Sequence, residues 1–379
     1  MATFSKVVKP SAHHDEKTWT GSASTLAITG LEFQPDWVLF FGRNYTGNNL
    51  VVDSVRGFNK WIYLDETDGE DTNTSVTATS DGISMDGNTL NCNSTSDGHI
   101  GMFWKLAGST TTNDASATGV GTIDSSYRAN TDAGLSVVTW EGTGANGTIA
   151  HGLGKIPDTI IFKDIEQDGY NWEMYTHGGN RASQTGGQID ETDTQQFFNP
   201  GVSQNDDHEY WNDTAPTSTV FSIGSKNNVN QSGISQVAFC FANTNGCLRT
   251  GTYQGNGKTH GPFVFTGFKP RAVWIARYDT TGENTSWKTS TTMALGPDNA
   301  AQSGSGSNHG NAIEHNMKLD STHNGASEVA SQDKIQFFAQ GFSPFTTDNK
   351  SNGGGNFYVY IAWADQPSVT TTKLLTTAF

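Results

Sequence analysis

Aromatic side chains within polar loops are the residues of this sequence best suited to bind a ligand. Each has Asn, Asp, Glu, Thr or Ser beside it, and they are Trp172, Tyr175, Tyr210, Trp211 and Trp287. An aromatic ring can stack on a sugar ring while neighbouring amides and carboxylates bond the sugar hydroxyls, so these five are candidate glycan contacts. The alternative is that the rings fill small cores of the loops or an interface between chains.

Carboxylates supply the only candidate for catalysis. Asp206, Asp207 and Glu209 stand beside Tyr210 and Trp211, a combination that resembles the paired acids of a glycoside hydrolase. Acidic loop residues are mostly solvated, however, and the sequence has no G-x-S-x-G, H-E-x-x-H, Walker or C-x-x-C motif. We therefore predict no catalytic residues and no enzymatic activity.

Metal-ligating side chains are present but do not have the spacing of a known site. The histidines with the right chemistry are His13, His14, His309, His315 and His323. The acidic run 65–71 (DETDGED) offers oxygen ligands of the kind that calcium prefers, without the order of an EF-hand loop. We predict no metal and no cofactor. Arg56, in DSVRG (53–57), is expected to tie its own loop to a carboxylate.

Composition and charge limit the possible partners. Only 34% of the 379 residues are hydrophobic and 43 are glycine, but 10 Trp, 10 Tyr and 21 Phe can build small aromatic cores. The formal net charge of −16 repels phosphates and anionic lipids, so neither nucleic acid nor membrane is an expected partner. Three cysteines suggest free, buried thiols rather than a disulfide framework.

Three stretches of the sequence share one pattern, which predicts a repeated fold. Residues 18–41, 138–163 and 252–277 each run from an aromatic residue through a Gly/Asn turn and an alternating stretch to a proline (Pro35, Pro157, Pro270) and an apolar run. Each copy closes on an aromatic strand, at 98–108, 235–246 and 357–367. This pattern predicts an all-β protein of three tandem, related antiparallel β-sandwich units of jelly-roll type.

The same pattern sets the predicted boundaries. They are an N-terminal arm (1–17), β unit 1 (18–108), a linker (109–133), β unit 2 (134–246), β unit 3 (247–367) and a C-terminal tail (368–379). We expect units 2 and 3 to pack as a pair and unit 1 to be more independent, because the linker is rich in small residues. Leu374, Leu375 and Phe379 in the tail need a partner surface and are predicted assembly anchors.

Several motifs resemble a family of bacteriophage virion proteins commonly labelled tail fibre or tail structural proteins. They are ITGLEFQPDWV (28–38), DSVRG (53–57), SDGI (80–83), MFWKLAG (102–108), GPFVFTGFKPRAVWI (261–275) and YVYIAWADQP (358–367). The chain departs from the family where Arg271 replaces a frequent Asp after the proline. The second copy matches more loosely, and one alternative is that it is a large insertion between two true copies.

The resemblance implies a non-enzymatic virion component that is assembled in the host cytoplasm. The leading interpretation is a tail-associated fibre or receptor-binding protein, a homotrimer that contacts other virion proteins and a host surface glycan. The alternative is a capsid decoration or spike protein that packs on the virion shell. The absence of a heptad stalk favours this alternative.

Overall fold

The structure is a computed structural model, and the part of the chain that it describes is almost entirely β-strand. It describes residues 9–22, 24–42, 48–64, 66–87, 92–177, 195–196, 208–279, 286–289, 312–313, 317–318 and 335–365. Within these ranges there are 27 strands, one 3₁₀ helix (Pro10–Ala12) and three α-helices of four residues each. The predicted all-β class with antiparallel sheets is confirmed.

The first third of the chain forms a six-stranded and a three-stranded sheet, in the orders β1-β9-β3-β4-β5-β6 and β2-β8-β7. The strands are β1 (His14–Thr20), β2 (Leu26–Ile28), β3 (Trp37–Gly42), β4 (Leu50–Asp53), β5 (Gly57–Tyr63), β6 (Asp71–Thr72), β7 (Val76–Thr79), β8 (Gly82–Met85) and β9 (Gly98–Trp104). Residues 14–17 of the predicted arm therefore belong to β1. Gly82 is required because a Cβ there would lie 1.8 Å from the carbonyl oxygen of Ile28.

The middle third forms a seven-stranded sheet, β10-β11-β12-β18-β14-β15-β16, and a two-stranded sheet, β13-β17. The elements are β10 (Thr111–Asn113), α1 (Ala115–Thr118), β11 (Ser125–Asn130), β12 (Leu135–Glu141), β13 (Gly147–Ala150), β14 (Thr159–Asp164), β15 (Glu173–Thr176), β16 (Gln195–Gln196), α2 (His208–Trp211), β17 (Val220–Ile223), α3 (Asn227–Asn230) and β18 (Ser235–Phe241).

The segment 109–133, which we predicted to be a linker, is part of this seven-stranded sheet. It contains β10, α1 and β11, and β11 pairs along its whole length with β12. Asp114 caps α1 by accepting a hydrogen bond from the backbone N–H of Ala117. The strands escaped prediction because small polar residues hide their alternation. In β11, Tyr127 and Ala129 pack against a core cluster that includes Ile123, two residues before the strand.

The last third forms a five-stranded sheet, β19-β27-β21-β22-β24, and a four-stranded sheet, β20-β26-β25-β23. The strands are β19 (Leu248–Gln254), β20 (Val264–Phe265), β21 (Pro270–Arg277), β22 (Ser286–Thr289), β23 (Ala312–Ile313), β24 (Met317–Lys318), β25 (Ile335–Phe338), β26 (Gly341–Pro344) and β27 (Phe357–Ala364).

The three large sheets share one pairing order. Their central strands are β1-β9-β3, β12-β18-β14 and β19-β27-β21, and every pair among them is antiparallel. The middle strand in each is the aromatic closing strand noted in the sequence, and it is buried on both faces. That the three sheets derive from one repeated unit stays a prediction.

One face of every large sheet packs into a single central core. Trp37 lies at its centre, with ring centroids 4.3 Å from Trp104, 4.9 Å from Phe239 and 6.2 Å from Trp274. Trp363 closes the group at 4.7 Å from Trp274, and all five side chains are buried. The four tryptophans all lie on the repeated strands noted in the sequence. The expected independence of unit 1 is wrong, because Trp37 packs against the other two sheets.

The opposite face of each large sheet packs on its own small sheet, which makes three separate outer cores. The first joins Phe40 of β3 to Ile83 of β8. The second joins Val138 of β12 to Phe221 of β17, and the third joins Val273 and other residues of β21 and β27 to β20, β25 and β26. Each large sheet is therefore covered on both faces, which explains why its central strands are continuous apolar runs.

Polar contacts join the three large sheets to one another just after the anchor prolines. Asp36 pairs with Arg128 of the second sheet at 2.5 Å and accepts the N–H of Leu106 at 2.9 Å. Thr159 donates to Thr250 of the third sheet at 3.0 Å. Arg271 pairs with Asp15 of the first sheet at 2.6 Å. The contacts run from first to second, second to third and third back to first, so they close a ring.

We expect Arg271→Gln to destabilise the protein, because it breaks the ion pair that joins the first and last sheets. Arg271 also lies 3.8 Å from the buried carboxylate of Glu16, which would lose a compensating charge. Removing one partner of a largely buried pair costs about 3 kcal/mol, whereas an exposed pair contributes about 0.5 kcal/mol. The matched control is Lys269→Gln, because the side chain of Lys269 is 52% exposed and its Nζ lies 3.6 Å from Asp365. If the urea unfolding midpoint shifts equally in both variants, the ion pair of Arg271 does not hold the first and last sheets together.

Candidate functional site

Four of the five candidate glycan contacts are buried inside the protein. Trp172, Tyr175 and Trp211 are at most 1% exposed, and Tyr210 is 8% exposed. The indole N–H of Trp172 donates to the carbonyl of Tyr63 in the first large sheet at 3.1 Å, and its ring stacks on Phe239. Trp172 thus fills the central core, and its ring has no face to offer a sugar.

Trp211 and its neighbours fill the second outer core in the same way. Its ring lies 4.7 Å from Phe162 and 5.4 Å from Tyr175, with edge contacts to both. The ammonium of Lys226 lies 5.7 Å above the ring of Tyr210 and pairs with Glu209 at 3.0 Å. The alternative stated from the sequence, that these rings fill small cores of the loops, fits what the structure shows.

The other predicted contacts are outside the described side chains. The backbone of Trp287 pairs with that of Trp274 in β22 and β21, but its side chain is not described. Leu374, Leu375 and Phe379, together with Asp206 and Asp207, lie outside the described residues.

The acidic loop that could have held calcium is tied down by a buried lysine. The ammonium of Lys163 donates to the carbonyls of Thr67 and Tyr170, at 3.1 and 2.7 Å. The N–H of Gly69 donates to Asp168 in the facing loop. Burial lowers the pKa of Lys163 to about 8, and nearby carboxylates, Asp164 first among them, oppose that shift. The ammonium of Lys163 therefore already lies among these carboxylates. Because Lys163 belongs to the second large sheet, its hydrogen bond to Thr67 holds the acidic loop of the first sheet against the second. Asp65 lies outside the described residues.

Arg56 has the structural role predicted from its motif. Its guanidinium bonds Asp53 at 2.6 Å and Glu70 at 2.8 Å. Asp53 also accepts the backbone N–H groups of Val55 and Arg56. A carboxylate with three such donors holds the turn between β4 and β5 in one conformation.

Three of the described histidines, His14, His99 and His151, and all three cysteines are buried. In the described part of the chain, no group of three His, Cys, Asp or Glu side chains could hold a metal ion. The ring of His14 contacts those of Trp104 and Trp363, and burial, with the charge of Arg271, holds its pKa well below the usual value. His309, His315 and His323 lie outside the described residues.

The three cysteines are free and buried, as the sequence predicted. Burial raises the pKa of Cys92 and Cys247 to about 12, and it raises the pKa of Cys240 as well. Thiols of this kind are inert at neutral pH, because the thiolate is the reactive form.

A shallow groove lies on the second large sheet. Its volume is about 290 Å³. It is lined by Thr112, Asp124, Ser125, Ser126, Thr139, Trp140, Glu141 and Ser235. Hydroxyls and two carboxylates can bond sugar hydroxyls, but Trp140 is only 4% exposed, so the groove has no open aromatic platform.

The surface feature that sequence reasoning missed is a group of four phenylalanines in the last third of the chain, two of which are exposed. Phe263 and Phe265 are 54% and 57% exposed. Phe263 lies 5.8 Å from Phe338, which lies 6.5 Å from Phe345. We name these four residues the outer aromatic face. Of residues 263–265 only Val264 belongs to the core, but the apolar sequence F-V-F carries no signal for the exposure of its two phenylalanines.

The motifs that carry the phage resemblance all have architectural roles in the structure. The carboxylate of Asp36 accepts the N–H of Leu106, just after the closing strand, and pairs with Arg128 of the second sheet. The ion pair of Asp53 and Arg56 fixes a turn. Asp81, in SDGI, accepts hydrogen bonds from the segment that follows β2, including the N–H of Leu31. The resemblance therefore concerns the fold and leaves the activity open.

Comparison with known families gives one result. The family described as "Domain of unknown function (DUF7483)" matches residues 9–367. The chain belongs to this family. No curated protein and no solved structure matches it. The DUF7483 match spans all three large sheets and their shared core. Among the described residues, no helix is long and apolar enough to cross a membrane.

We expect acid to destabilise this DUF7483 chain through His151. Its Nε2–H donates to the carbonyl of Thr217 at 3.1 Å, and its Nδ1 accepts the N–H of Leu153 at 3.2 Å. Burial lowers the pKa of His151 to about 4. The unfolded chain, with an ordinary pKa of about 6.5, binds the proton first, so stability falls as the pH drops from 6.5 to 4, by at most about 3 kcal/mol.

The measurement is the free energy of unfolding at several pH values between 7 and 4. His151→Gln should flatten the dependence in part, since His14 contributes in the same direction. The exposed His260→Gln is the control and should leave the profile unchanged. An unaltered slope in His151→Gln would exclude this residue as a source of acid sensitivity.

Proposed function

We propose that this DUF7483 chain is a non-enzymatic structural protein of a phage virion. The observation that carries the proposal is the use of the loop aromatics and loop charges to lock three sheets around one core. A body of this kind suits a building block rather than an enzyme that must open and close. The ordered resemblance of the first and third sheets to tail structural proteins supports the virion assignment.

Two positions on the particle follow from different observations. The tail-fibre interpretation depended on aromatic rings that could stack on a sugar. Four of those rings are buried, which favours a decoration or spike protein on the capsid shell: Trp172, Tyr175, Tyr210 and Trp211. The hydroxyl-lined groove at Ser126 favours the second candidate, a tail-associated protein that contacts a host glycan without a stacked ring. We give the capsid position first place on this ground.

Copy number in purified particles separates the two positions. We expect quantitative mass spectrometry to find this chain in amounts that scale with the major shell protein. Amounts that scale with the tail proteins would overturn the capsid position. Binding of the purified chain to host surface polysaccharide, lost in Glu141→Ala together with Asp124→Ala, would then support the glycan role. Absence of the chain from the particle would reject the virion assignment itself.

We expect the chain to be a monomer in solution, although the phage resemblance implies a homotrimer. In a trimer of chains that each form one sandwich, one face of each sheet would be buried at the shared axis. In this chain the three large sheets already bury one face each against one another. Light scattering after gel filtration should therefore give 40.7 kDa. Three times this mass would show that further copies cover a surface that the described residues leave exposed.

A further inference from the structure

The groove on the second large sheet contains a row of hydroxyl groups that crosses three strands. Thr112 of β10, Ser126 of β11 and Thr139 of β12 are cross-strand partners, so their side chains lie in one row on the same face of the sheet. Neighbouring strands are about 4.8 Å apart, which sets the spacing of the row. Thr112 is exposed, and Ser126 and Thr139 are half-buried. The row is therefore accessible to a ligand that carries several hydroxyls.

Two exposed carboxylates line the groove beside this row. Ser125 is the cross-strand partner of Trp140, Asp124 directly precedes Ser125, and Glu141 directly follows Trp140. The same register, continued by one residue, brings Asp124 and Glu141 opposite each other, and strand alternation places them on the face of the hydroxyl row. The Oδ1 of Asp124 accepts the N–H of Ala115 at 2.8 Å, which fixes the position of this carboxylate.

The chemistry of the lining defines the class of ligand. The described residues that line the groove include no Lys, Arg or His. Ionised carboxylates only accept hydrogen bonds, and two of them opposite each other are destabilising unless a positive group compensates. Hydroxyls donate as well as accept. The groove therefore suits a ligand that has many hydroxyls and a positive charge, and it disfavours phosphates and acidic sugars.

A bare metal ion fits this lining less well than an organic cation. Calcium takes about six to eight oxygen ligands, including several carboxylates. Among the described residues, no group of three His, Cys, Asp or Glu side chains could hold a metal ion. An ammonium group needs only a few acceptors, and the hydroxyl row then serves the rest of the ligand.

We propose that the groove binds an amino sugar with a free ammonium group. The ammonium lies between Asp124 and Glu141, and the sugar hydroxyls lie on the row of Thr112, Ser126 and Thr139. This inference rests on the glycan contact given above as the second candidate function, and it names the ligand class. The volume of about 290 Å³ is near the lower limit of small-ligand sites, roughly 300 Å³, so a small end group of a glycan is the expected occupant.

Titration of the full-length chain with two matched disaccharides, followed by saturation-transfer NMR, tests the inference. The probes are the β-1,4-linked disaccharide of glucosamine, which carries ammonium groups, and its di-N-acetylated form, which is neutral. At about pH 6 the amines are protonated. We expect the amine form to bind about tenfold tighter, because hydrogen bonds to charged groups are stronger than neutral ones.

Variants with equal charge changes separate the groove from the acidic surface as a whole. In Asp124→Asn with Glu141→Gln, the two disaccharides should bind equally, and Asn at 124 keeps an acceptor for the N–H of Ala115. The control is Asp71→Asn with Asp213→Asn, which removes the same charge at two exposed positions outside the groove lining. It should keep the preference for the amine form. The thermal midpoint is the folding check for both variants.

Each contrary result has a distinct meaning. Equal affinity of the wild-type chain for both disaccharides would overturn the ammonium assignment and leave a neutral glycan contact in place. Binding of neither disaccharide would overturn this inference and the glycan candidate together. A preference that persists in the groove variant, or that is lost in the control variant, would assign it to the net charge of −16 and overturn the site.

Discussion

The central core is the constraint on which the rest of the structure depends. Each large sheet has one face that no small sheet covers, and the three such faces meet around Trp37. None of these faces could remain in water, since each presents several large apolar side chains. The sheets must therefore fold against one another within one chain, and a division into independent units does not describe them. This also explains why β3, β14 and β21 are buried on both sides.

Apolar packing alone would not determine which of three similar sheets lies beside which. The polar contacts beside the anchor prolines determine this arrangement. Asp36 meets Arg128, Thr159 meets Thr250, and Arg271 meets Asp15, so corresponding places carry different chemistry. An exchange of two sheets would place like charges together or leave a buried charge unpaired, which is costly. Arg271, which departs from the phage family pattern, is thus explained by its partner on the first sheet.

Much of the fold follows from local sequence, while the candidate site does not. Runs such as WVLFF in β3 and prolines such as Pro35 reveal strands and turns, because apolar pattern and backbone restriction act locally. The direction of a loop aromatic depends on distant partners instead: Trp172 bonds Tyr63, 109 residues away. The strands β10 and β11 were missed since most of their side chains are small and polar. The exposure of Phe265 was missed because the F-V-F pattern suits a strand buried on both faces equally well.

The separation between one shared core and three outer cores has a consequence for how such a chain can vary. A change in the central core affects all three large sheets, because Trp37 contacts residues of each. A change in an outer core affects one small sheet only. Among the described residues, the small sheets have three, two and four strands. Surface features such as the outer aromatic face therefore arise on the small sheets, where a side chain can be altered without disturbing the core that holds the molecule together.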